Sequence, residues 1–330
     1  MKQTPIVVAL GGNAISRKNE EGNIGQQFEH TRETAGHLAN LVEAGYLPVI
    51  THGNGPQVGN VLRRVELSAG EIYPIPLHIC VADTQAGMGY MITQCLNNAL
   101  HRRGIERIAT TMITCVEVDP NDPDFDEPTK PIGKFLPREQ AELFEKQYGW
   151  KMKQYGDNEY RRVVASPVPK SILEIGLIRR LVGEGEVLVV GGGGGVAVAR
   201  DKAGDLYGVD CVVDKDRTTA LLAADLGVQT FLIATGTEKV MLRFGKPDAV
   251  ALENLTVEDA KHYLSRGEFP AGTMGPKIEA ALDFLAKSKR PNARVVITDL
   301  EHMTEALAEK AGTIITRDGS EGKSLKVVRG

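Results

Sequence analysis

The chain has 330 residues, of which 42% are hydrophobic and 25% are charged, the balance expected of a folded globular protein. Its net charge is −4 without a long basic block, which argues against nucleic acid as a partner. No apolar stretch reaches the length of a membrane span, the N-terminus lacks a signal-peptide pattern, and the four cysteines, Cys80, Cys95, Cys115 and Cys211, are scattered without C-x-x-C spacing. We therefore expect a cytoplasmic protein that binds no membrane, with reduced thiols in its core and metal binding by them as the weaker alternative.

The first predicted element is a strand from Ile6 to Leu10, which is apolar throughout and therefore expected to be buried on both faces of a parallel sheet. Gly11, Gly12 and Asn13 follow it. An open α/β sheet binds its ligand at this end of its strands, and glycines let a ligand approach the backbone. Neither common nucleotide-binding fingerprint is present, and a tight turn with no binding role is the alternative.

A second strand with a glycine-rich turn follows. The spacing of apolar residues predicts a helix from Phe28 to Glu43 after a surface loop at 16–27, and then a strand from Leu47 to Thr51. That strand leads directly into the motif His-Gly-Asn-Gly-Pro-Gln-Val-Gly at 52–59. Two glycine turns at the ends of two strands are expected to converge on one crevice.

The middle of the chain contains an insertion. A long helix is predicted from Ala82 to Arg103, and β-branched residues predict a strand within 105–118. Residues 119–160 are polar and rich in proline, with a helix predicted from Pro137 to Tyr148. So long a segment between regular elements is typically functional. We interpret 1–330 as a single domain and 119–160 as a small protruding subdomain, or lid, inserted within it.

In the second half of the chain, predicted strands and helices alternate. A helix is expected at 171–182 and a strand at 186–190, followed by five glycines at 191–195. A flexible linker is one interpretation of this run, but its position between two apolar stretches favours close approach of a ligand to the backbone. The alternation predicts an α/β fold whose mainly parallel sheet is covered by helices on both faces.

Three lysines lie beside such turns: Lys130, Lys215 and Lys277. Glycine turns and helix N-termini bind phosphate oxygens, and lysine adds the positive charge that phosphoryl transfer requires. For most lysines a solvated surface charge is the simpler explanation. Lys277 is the least consistent with it, because a lysine in the first turn of a helix is unfavourable unless an anion lies nearby. Lys215 could form a structural ion pair, and Asp214 could orient the lysines or hold a metal.

Six motifs in this order resemble the carbamate kinase family, a branch of the amino acid kinase superfamily. They are Leu-Gly-Gly-Asn-Ala at 10–14, the His-Gly-Asn-Gly motif at 52–59, Pro-Thr-Lys-Pro-Ile-Gly at 128–133, four glycines at 191–194, Val-Val-Asp-Lys-Asp at 212–216 and Ala-Gly-Thr-Met-Gly-Pro-Lys at 271–277. The resemblance covers nearly the whole chain. Only the conjunction of the motifs is specific, because each one alone is weak.

The resemblance implies a three-layer αβα sandwich with a mainly parallel eight-stranded sheet and a small protruding subdomain. It implies reversible phosphoryl transfer between ATP and carbamate, giving ADP and carbamoyl phosphate, a reaction that can serve arginine breakdown or carbamoyl phosphate supply. The implied cofactor is Mg²⁺, carried by the nucleotide phosphates rather than by protein ligands. A homodimer is also implied, and the apolar residues Val58, Val61, Leu62 and Val65 exceed what one buried helix face requires.

The resemblance also assigns roles to individual residues. Lys215 and Lys277 would neutralise the phosphoryl group, Asp214 would hold these lysines, and Lys130 would reach the phosphate from the subdomain. The implied substrate-binding residues are Gly11, Gly12, Asn13, Gly53 and Asn54. The implied nucleotide-binding residues are Thr235, Phe244, Gly272, Met274, Gly275 and Lys277.

Two other functions stay open at this point. One is a different acyl-phosphate-forming kinase of the superfamily, acting on a carboxylate such as acetylglutamate, against which the insertion at 119–160 argues. The other is a nucleotide-binding regulator on the same fold without turnover. The presence of all three lysines argues against a regulator, because a protein that only binds nucleotide has no transition state to neutralise.

Overall fold

The structure, a computed structural model, describes residues 3–17, 20–270, 272–318 and 327–328, with the backbone alone at position 13 and at 327–328. The strands of these residues are β1 (Thr4–Leu10), β2 (Tyr46–His52), β3 (Ala109–Thr111), β4 (Cys115–Glu117), β5 (Lys130–Leu136), β6 (Lys151–Gly156), β7 (Glu159–Val164), β8 (Ser171–Ile172), β9 (Val187–Val189), β10 (Val196–Arg200), β11 (Leu206–Gly208), β12 (Thr230–Ala234), β13 (Val240–Leu242), β14 (Val250–Leu252), β15 (Asn254–Thr256), β16 (Arg294–Thr298), β17 (Thr313–Thr316) and β18 (Val327–Val328). The α-helices are α1 (Ile24–Glu43), α2 (Gly55–Ser68), α3 (Leu77–Arg102), α4 (Arg138–Tyr148), α5 (Ile175–Glu184), α6 (Lys215–Leu226), α7 (Val257–Ser265), α8 (Gly275–Lys287) and α9 (Met303–Leu307).

The largest sheet has eight strands in the order β15-β17-β16-β12-β1-β2-β9-β3. All neighbours from β16 to β3 run parallel. At the other edge, β17 runs antiparallel to β16, and β15 runs parallel to β17. The predicted eight-stranded, mainly parallel sheet is therefore confirmed.

The central strand β1 shows why the fold has three layers. Ile6, Val8 and Leu10 pack into the apolar cluster formed with α1, α3 and α9 on one face of the sheet. Val7 and Ala9 alternate with them and pack into the cluster formed with α5, α6 and α8 on the other face. All five side chains are completely buried. The apolar run in the sequence is thus the signature of a strand covered by helices on both sides.

The insertion forms its own three-stranded sheet in the order β5-β7-β6, together with the predicted helix α4. Phe144 of α4 packs edge-on against Trp150 with 5.1 Å between ring centroids. Strand β7 passes the expected boundary at Tyr160 and continues to Val164, which packs with Ile132 against α2. The division into a domain and a lid at 119–160 stays a prediction.

Two stretches predicted as single elements are divided in the structure. The β-branched stretch 105–118 forms two strands, because β3 pairs with β9 in the main sheet and β4 pairs with β10 in a second sheet. The helix expected at 171–182 begins only at Ile175, because residues 171–172 pair with β4 as β8. In both cases the partner strand is distant in sequence, so local pattern does not reveal the break.

Helix α1 begins four residues earlier than predicted, inside the segment expected to be loop. Asn23 and Gln26 form a reciprocal capping box at its start, with the Asn23 side chain accepting from the Gln26 backbone N–H. The capping motif lies among polar residues, which is why the spacing of apolar residues missed this first turn.

The four cysteines form no disulfide in the structure. All four thiols are free; Cys80, Cys95 and Cys211 are buried, and Cys115 is partly exposed. Across the residues that the structure describes, we find no helix with the length and apolar character needed to cross a membrane.

Candidate active site

A cavity of about 510 Å³ opens at the carboxyl ends of β1 and β12. These strands are parallel neighbours, so the turns that follow them meet at one edge of the sheet. Gly12 after β1 and Thr235 after β12 line the cavity, and Gly272 and Met274 line it from the segment before α8. The first of the two predicted glycine turns therefore lines the cavity, whereas the second, at 52–59, does not line it.

Two lysines at the cavity share one buried carboxylate. Lys215 Nζ lies 2.5 Å from Asp216 Oδ1, and Lys277 Nζ lies 3.3 Å from Asp216 Oδ2. Burial by itself would raise the pKa of Asp216, but the two ammonium groups outweigh it and hold this pKa below its ordinary value. The two positive charges are thus fixed on the two oxygens of one ionised side chain.

Asp214 does not have the partners predicted for it. It is the N-cap of α6, where its Oδ1 accepts hydrogen bonds from the backbone N–H of Asp216 at 2.9 Å and of Arg217 at 3.3 Å. Its Oδ2 lies 3.7 Å from Lys130 Nζ. The ion pairs expected of Asp214 with the other two lysines are made by Asp216 instead. Both aspartates belong to the Asp-Lys-Asp motif, but spacing alone does not reveal which of them caps the helix and which pairs with the lysines.

Lys277 lies in the first turn of α8, as predicted. The positive end of the helix dipole disfavours a lysine there, and the compensating anion is the carboxylate of Asp216. Burial lowers the pKa of Lys277, the charge of Lys215 lowers it further, and Asp216 offsets part of the shift. The side chain is almost fully buried, which excludes the simple solvated surface charge.

Lys130, at the start of β5, does not line the cavity but pairs with Asp214, which does. Its Nζ donates to Ser166 Oγ at 3.3 Å and to the Val212 carbonyl at 3.4 Å, in addition to its ion pair with Asp214, which lines the cavity. Burial lowers the pKa of Lys130, and the carboxylate of Asp214 opposes that shift. The structure therefore brings all three predicted lysines to one place.

The first glycine turn presents backbone to the cavity. Gly11 N–H donates to the Ala234 carbonyl, and a Cβ at Gly11 would lie 2.9 Å from that oxygen, so only glycine fits there. Gly12 also lines the cavity and has open space where a side chain would be. The side chain of Asn13 lies outside the described residues, and its role stays a prediction.

The second glycine turn contacts the site through Gly53. A Cβ at Gly53 would lie 3.3 Å from Lys215 Cδ, so the aliphatic stem of this lysine rests on the glycine. The Asn54 side chain is buried and donates from Nδ2 to Thr84 Oγ1 of α3 at 3.0 Å. Asn54 is thus held by the protein, and its predicted contact with substrate stays a prediction.

The glycine run at 191–195 is buried, so it is no flexible linker. A Cβ at Gly192 would lie 2.4 Å from His52 Nε2, and a Cβ at Gly194 would lie 2.3 Å from the Val213 carbonyl. The close approach predicted for this run is therefore present, but the groups that approach it belong to the second glycine turn and to the segment before α6.

Most of the predicted nucleotide-binding residues surround the cavity. Those that line it are Thr235, Phe244, Gly272, Met274 and Lys277. Gly275 is buried at the start of α8, where a Cβ would lie 3.2 Å from the Pro270 carbonyl. A side chain at this position would crowd the turn before the helix, and the predicted nucleotide contact of Gly275 stays a prediction.

Several lining residues had no predicted role, among them Asp216, Lys239 and Met241. Lys239 Nζ lies 3.3 Å from Glu253 Oε1. Neither Lys239 nor Met241 belongs to a glycine motif, and the short strand β13 that contains Met241 pairs with β14 outside the main sheet. The one signal in the sequence was the short apolar run of β13, which predicts a strand but no site.

Comparison with known proteins identifies the family. Residues 4–299 match the model of the amino acid kinase family. A carbamate kinase-like protein of Escherichia coli is 44% identical over 94% of this chain and 98% of its own length, and the carbamate kinase of Pyrococcus horikoshii is 40% identical with the same coverage.

A solved structure gives the same result. The carbamate kinase from Giardia lamblia bound to AMP-PNP has a TM-score of 0.90 and 34% identity, over 96% of this chain and 99% of that chain. The resemblance inferred from the six motifs is confirmed: the chain belongs to the amino acid kinase family and, within it, to the carbamate kinases.

Proposed function

We propose that this chain catalyses reversible phosphoryl transfer between ATP and carbamate, giving ADP and carbamoyl phosphate. The observation that carries the proposal is the pair Lys215 and Lys277 on the two oxygens of Asp216 at the cavity. The names of the relatives support carbamate as the acceptor. A carbamate oxygen forms a bond to the γ-phosphorus while the bond to the β–γ bridging oxygen breaks. The attacking oxygen is already anionic, so the reaction requires no general base.

The lysines supply the electrostatic stabilisation that phosphoryl transfer depends on. In this proposal Lys215 and Lys277 face the charge on the moving phosphoryl group, and Asp216 fixes their positions. Lys130 adds a third charge from the subdomain, with Asp214 as its partner. The backbone of the first and second glycine turns, including Gly12 and Gly53, would bind the carbamate end.

The nucleotide would lie along the segment before α8, with its base near Phe244 and Mg²⁺ on its phosphates. Bound Mg²⁺ neutralises charge on the β- and γ-phosphate oxygens. The carboxylates at the cavity already have partners: both oxygens of Asp216 face lysines, and Asp214 caps α6. This fits a Mg²⁺ ion that would be held by the nucleotide phosphates rather than by the protein. Within the described part of the chain, no three His, Cys, Asp or Glu side chains form a cluster able to hold a metal.

A coupled assay of ADP release tests the reaction. With ATP and Mg²⁺, we expect turnover with carbamate and only background rates with acetylglutamate or without an acceptor. Turnover with acetylglutamate alone would identify the other kinase class. Nucleotide binding without turnover on any acceptor would identify a regulator.

We also propose that the enzyme is a homodimer, for a reason different from the one drawn from the sequence. Val58, Leu62 and Val65 are buried within the chain against α3 and the subdomain, and Val61 packs partly buried beside them, so this helix face is already covered. Exposed apolar residues lie nearby instead: Ile79 and Tyr90 are on α3, and Tyr73 precedes this helix with 82% exposure. Light scattering should give twice the chain mass of 35.7 kDa, and a mass of one chain at micromolar concentration would refute the dimer.

We place the enzyme in the cytoplasm because its four cysteines are free thiols, which suits a reducing compartment. Fractionation of the source cells should recover the activity with soluble cytoplasmic markers. Recovery with secreted or membrane fractions would contradict this location.

We further propose that residues 119–160 close over the bound substrates and exclude water from the acyl phosphate. The support is that Lys130 is flanked by Pro128 and Pro131, which restrict the backbone, and that it makes three contacts of 3.3–3.7 Å with the core. Hydrogen exchange should show greater protection across 119–160 when substrates are bound. Unchanged protection, together with an unchanged kcat/KM in Lys130→Ala, would contradict closure.

A further inference from the structure

His52 is a buried residue that the proposed reaction does not use. It ends β2 and is 1% exposed. Its Nδ1 lies 3.1 Å from the carbonyl oxygen of Gly53. Because a carbonyl oxygen only accepts hydrogen bonds, Nδ1 carries the hydrogen. Burial lowers the pKa of His52 to about 4; the bond to Gly53 opposes this shift and the charge of Lys215 adds to it. The ring is therefore neutral near pH 7.

The ring lies against the glycine run. A Cβ at Gly192 would be 2.4 Å from His52 Nε2 and 2.6 Å from Cε1, so the imidazole occupies the space that a side chain would take. Gly192 is held in turn by Gln85, whose Nε2 donates to the Gly192 carbonyl at 2.9 Å and whose Oε1 accepts from the Thr114 N–H at 2.5 Å. The imidazole thus packs against a glycine whose backbone is held in place by Gln85.

Gly53 and the glycine run at 191–195 both contact Lys215. The stem of Lys215 lies on Gly53, where a Cβ would be 3.3 Å from Cδ and 3.4 Å from Cε. The glycine run also reaches the start of α6, because a Cβ at Gly194 would be 3.3 Å from the Lys215 backbone nitrogen. The same run of glycines thus contacts His52 and the backbone of the lysine.

We propose that His52 is a positioning residue that holds Gly53 against the stem of Lys215 and thereby places the lysine ammonium at the phosphoryl group. The proposal rests on the role proposed above for Lys215. Its logic is steric and local: the imidazole fills the space between the Gly53 carbonyl and Gly192. A side chain that lacks a donor to the Gly53 carbonyl would let the turn shift under the lysine.

The test compares three substitutions of His52 in the full-length enzyme, measured with ADP and carbamoyl phosphate. His52→Leu removes the donor, and we expect kcat to fall about 10²-fold, as for a small misplacement of a reacting group, with KM for ADP changed less than about twofold. His52→Asn keeps an amide nitrogen near the position of Nδ1 and should recover most of this loss. His52→Gln moves the amide towards the position of Nε2 and should be about tenfold slower than His52→Asn.

Two controls separate positioning from damage to the fold. Leu38→Ala removes a buried side chain of α1 and should lower Tm. The folded fraction of this variant should keep the kcat of the wild type. Lys215→Ala, run in parallel, tests the function on which the inference rests.

The inference is overturned if His52→Leu keeps a wild-type kcat while Lys215→Ala is slow. It is also overturned if His52→Asn and His52→Gln are equally slow, a comparison that stands even if the leucine variant does not fold. If Lys215→Ala itself keeps full turnover, the role proposed for Lys215 fails, and the proposal for His52 fails with it.

Discussion

The lysines of the site belong to two regions that hold them differently. Lys215 and Lys277 lie in the first turns of α6 and α8, two helices packed on the same face of the main sheet, and both contact Asp216. Lys130 begins a strand of the subdomain, and its ion pair with Asp214 is longer, at 3.7 Å.

The difference indicates two ways of supplying charge to one reaction. A pair of charges fixed on a rigid core needs no rearrangement when the phosphoryl group becomes more negative, which is the basis of electrostatic catalysis. A charge on a separate sheet can arrive with substrate and leave with product, at the expense of a conformational step. We therefore expect the core pair to govern the chemical step and Lys130 to govern capture of the substrates.

The largest effect should come from removing a core lysine. Lys215→Ala is expected to lower kcat by roughly 10²–10³-fold, because the lost charge matters most in the transition state. The dissociation constant of ADP should change far less, and both quantities should be measured on one preparation. Lys202→Ala, in an exposed turn, is the matched control and should behave as wild type. A near-normal kcat in Lys215→Ala would remove the core pair from the mechanism.

The next effect sharpens the contrast between the two aspartates. Asp216→Asn leaves two buried ammonium groups without their counter-ion and should lower the free energy of unfolding by about 3 kcal/mol at pH 7. Asp214→Asn should change it by less than about 0.5 kcal/mol, because asparagine is also a good N-cap. Urea denaturation measures both. Equal losses would mean that Asp216 is no more important than Asp214.

The stabilisation by Asp216 should depend on pH in a defined direction. Its pKa is lowered in the folded state, so its contribution is complete above the ordinary pKa of about 3.9 and is lost as the pH falls through the lower value. The difference in unfolding free energy between wild type and Asp216→Asn should therefore be constant from about pH 5 to 8 and shrink in stronger acid. A difference that grows below pH 4 would contradict this sign.

The smallest effect is expected at the subdomain. Lys130→Ala should lower kcat/KM about tenfold, less than the loss in Lys215→Ala, because its contacts are longer and more exposed. Steady-state kinetics at several carbamoyl phosphate concentrations would separate KM from kcat. Lys134→Ala in the same strand is the control. A loss as large as that of Lys215→Ala would place Lys130 in the chemical step.

Much of the fold could be predicted because its signals are local. The apolar run of β1 predicts a strand buried on both faces, and the glycines after β1 predict the turn that lines the cavity. The unfavourable position of Lys277 at a helix start correctly predicted an anion nearby, which is Asp216. These inferences need only the physics of one segment at a time.

The rest depends on contacts between distant segments. The Asp216–Lys277 pair joins residues 61 positions apart, and nothing in the Asp-Lys-Asp motif states which carboxylate will be used. Asn54 has the sequence context of a ligand-binding residue, yet its amide is bonded to Thr84 on another helix. Strand partners likewise decided that 105–118 forms two strands. Each case is settled by tertiary packing, which local pattern does not contain.

A double-mutant cycle on kcat tests the central claim most directly, namely that Lys215 and Asp216 act as one preorganised unit. Lys215→Ala, Asp216→Asn and the double variant should be assayed with ADP and carbamoyl phosphate under one set of conditions. We predict that the double variant is no slower than the slower single variant, within about threefold, because residues that act as a unit are strongly non-additive. Losses that multiply in the double variant would show that the two residues act independently and would contradict the account.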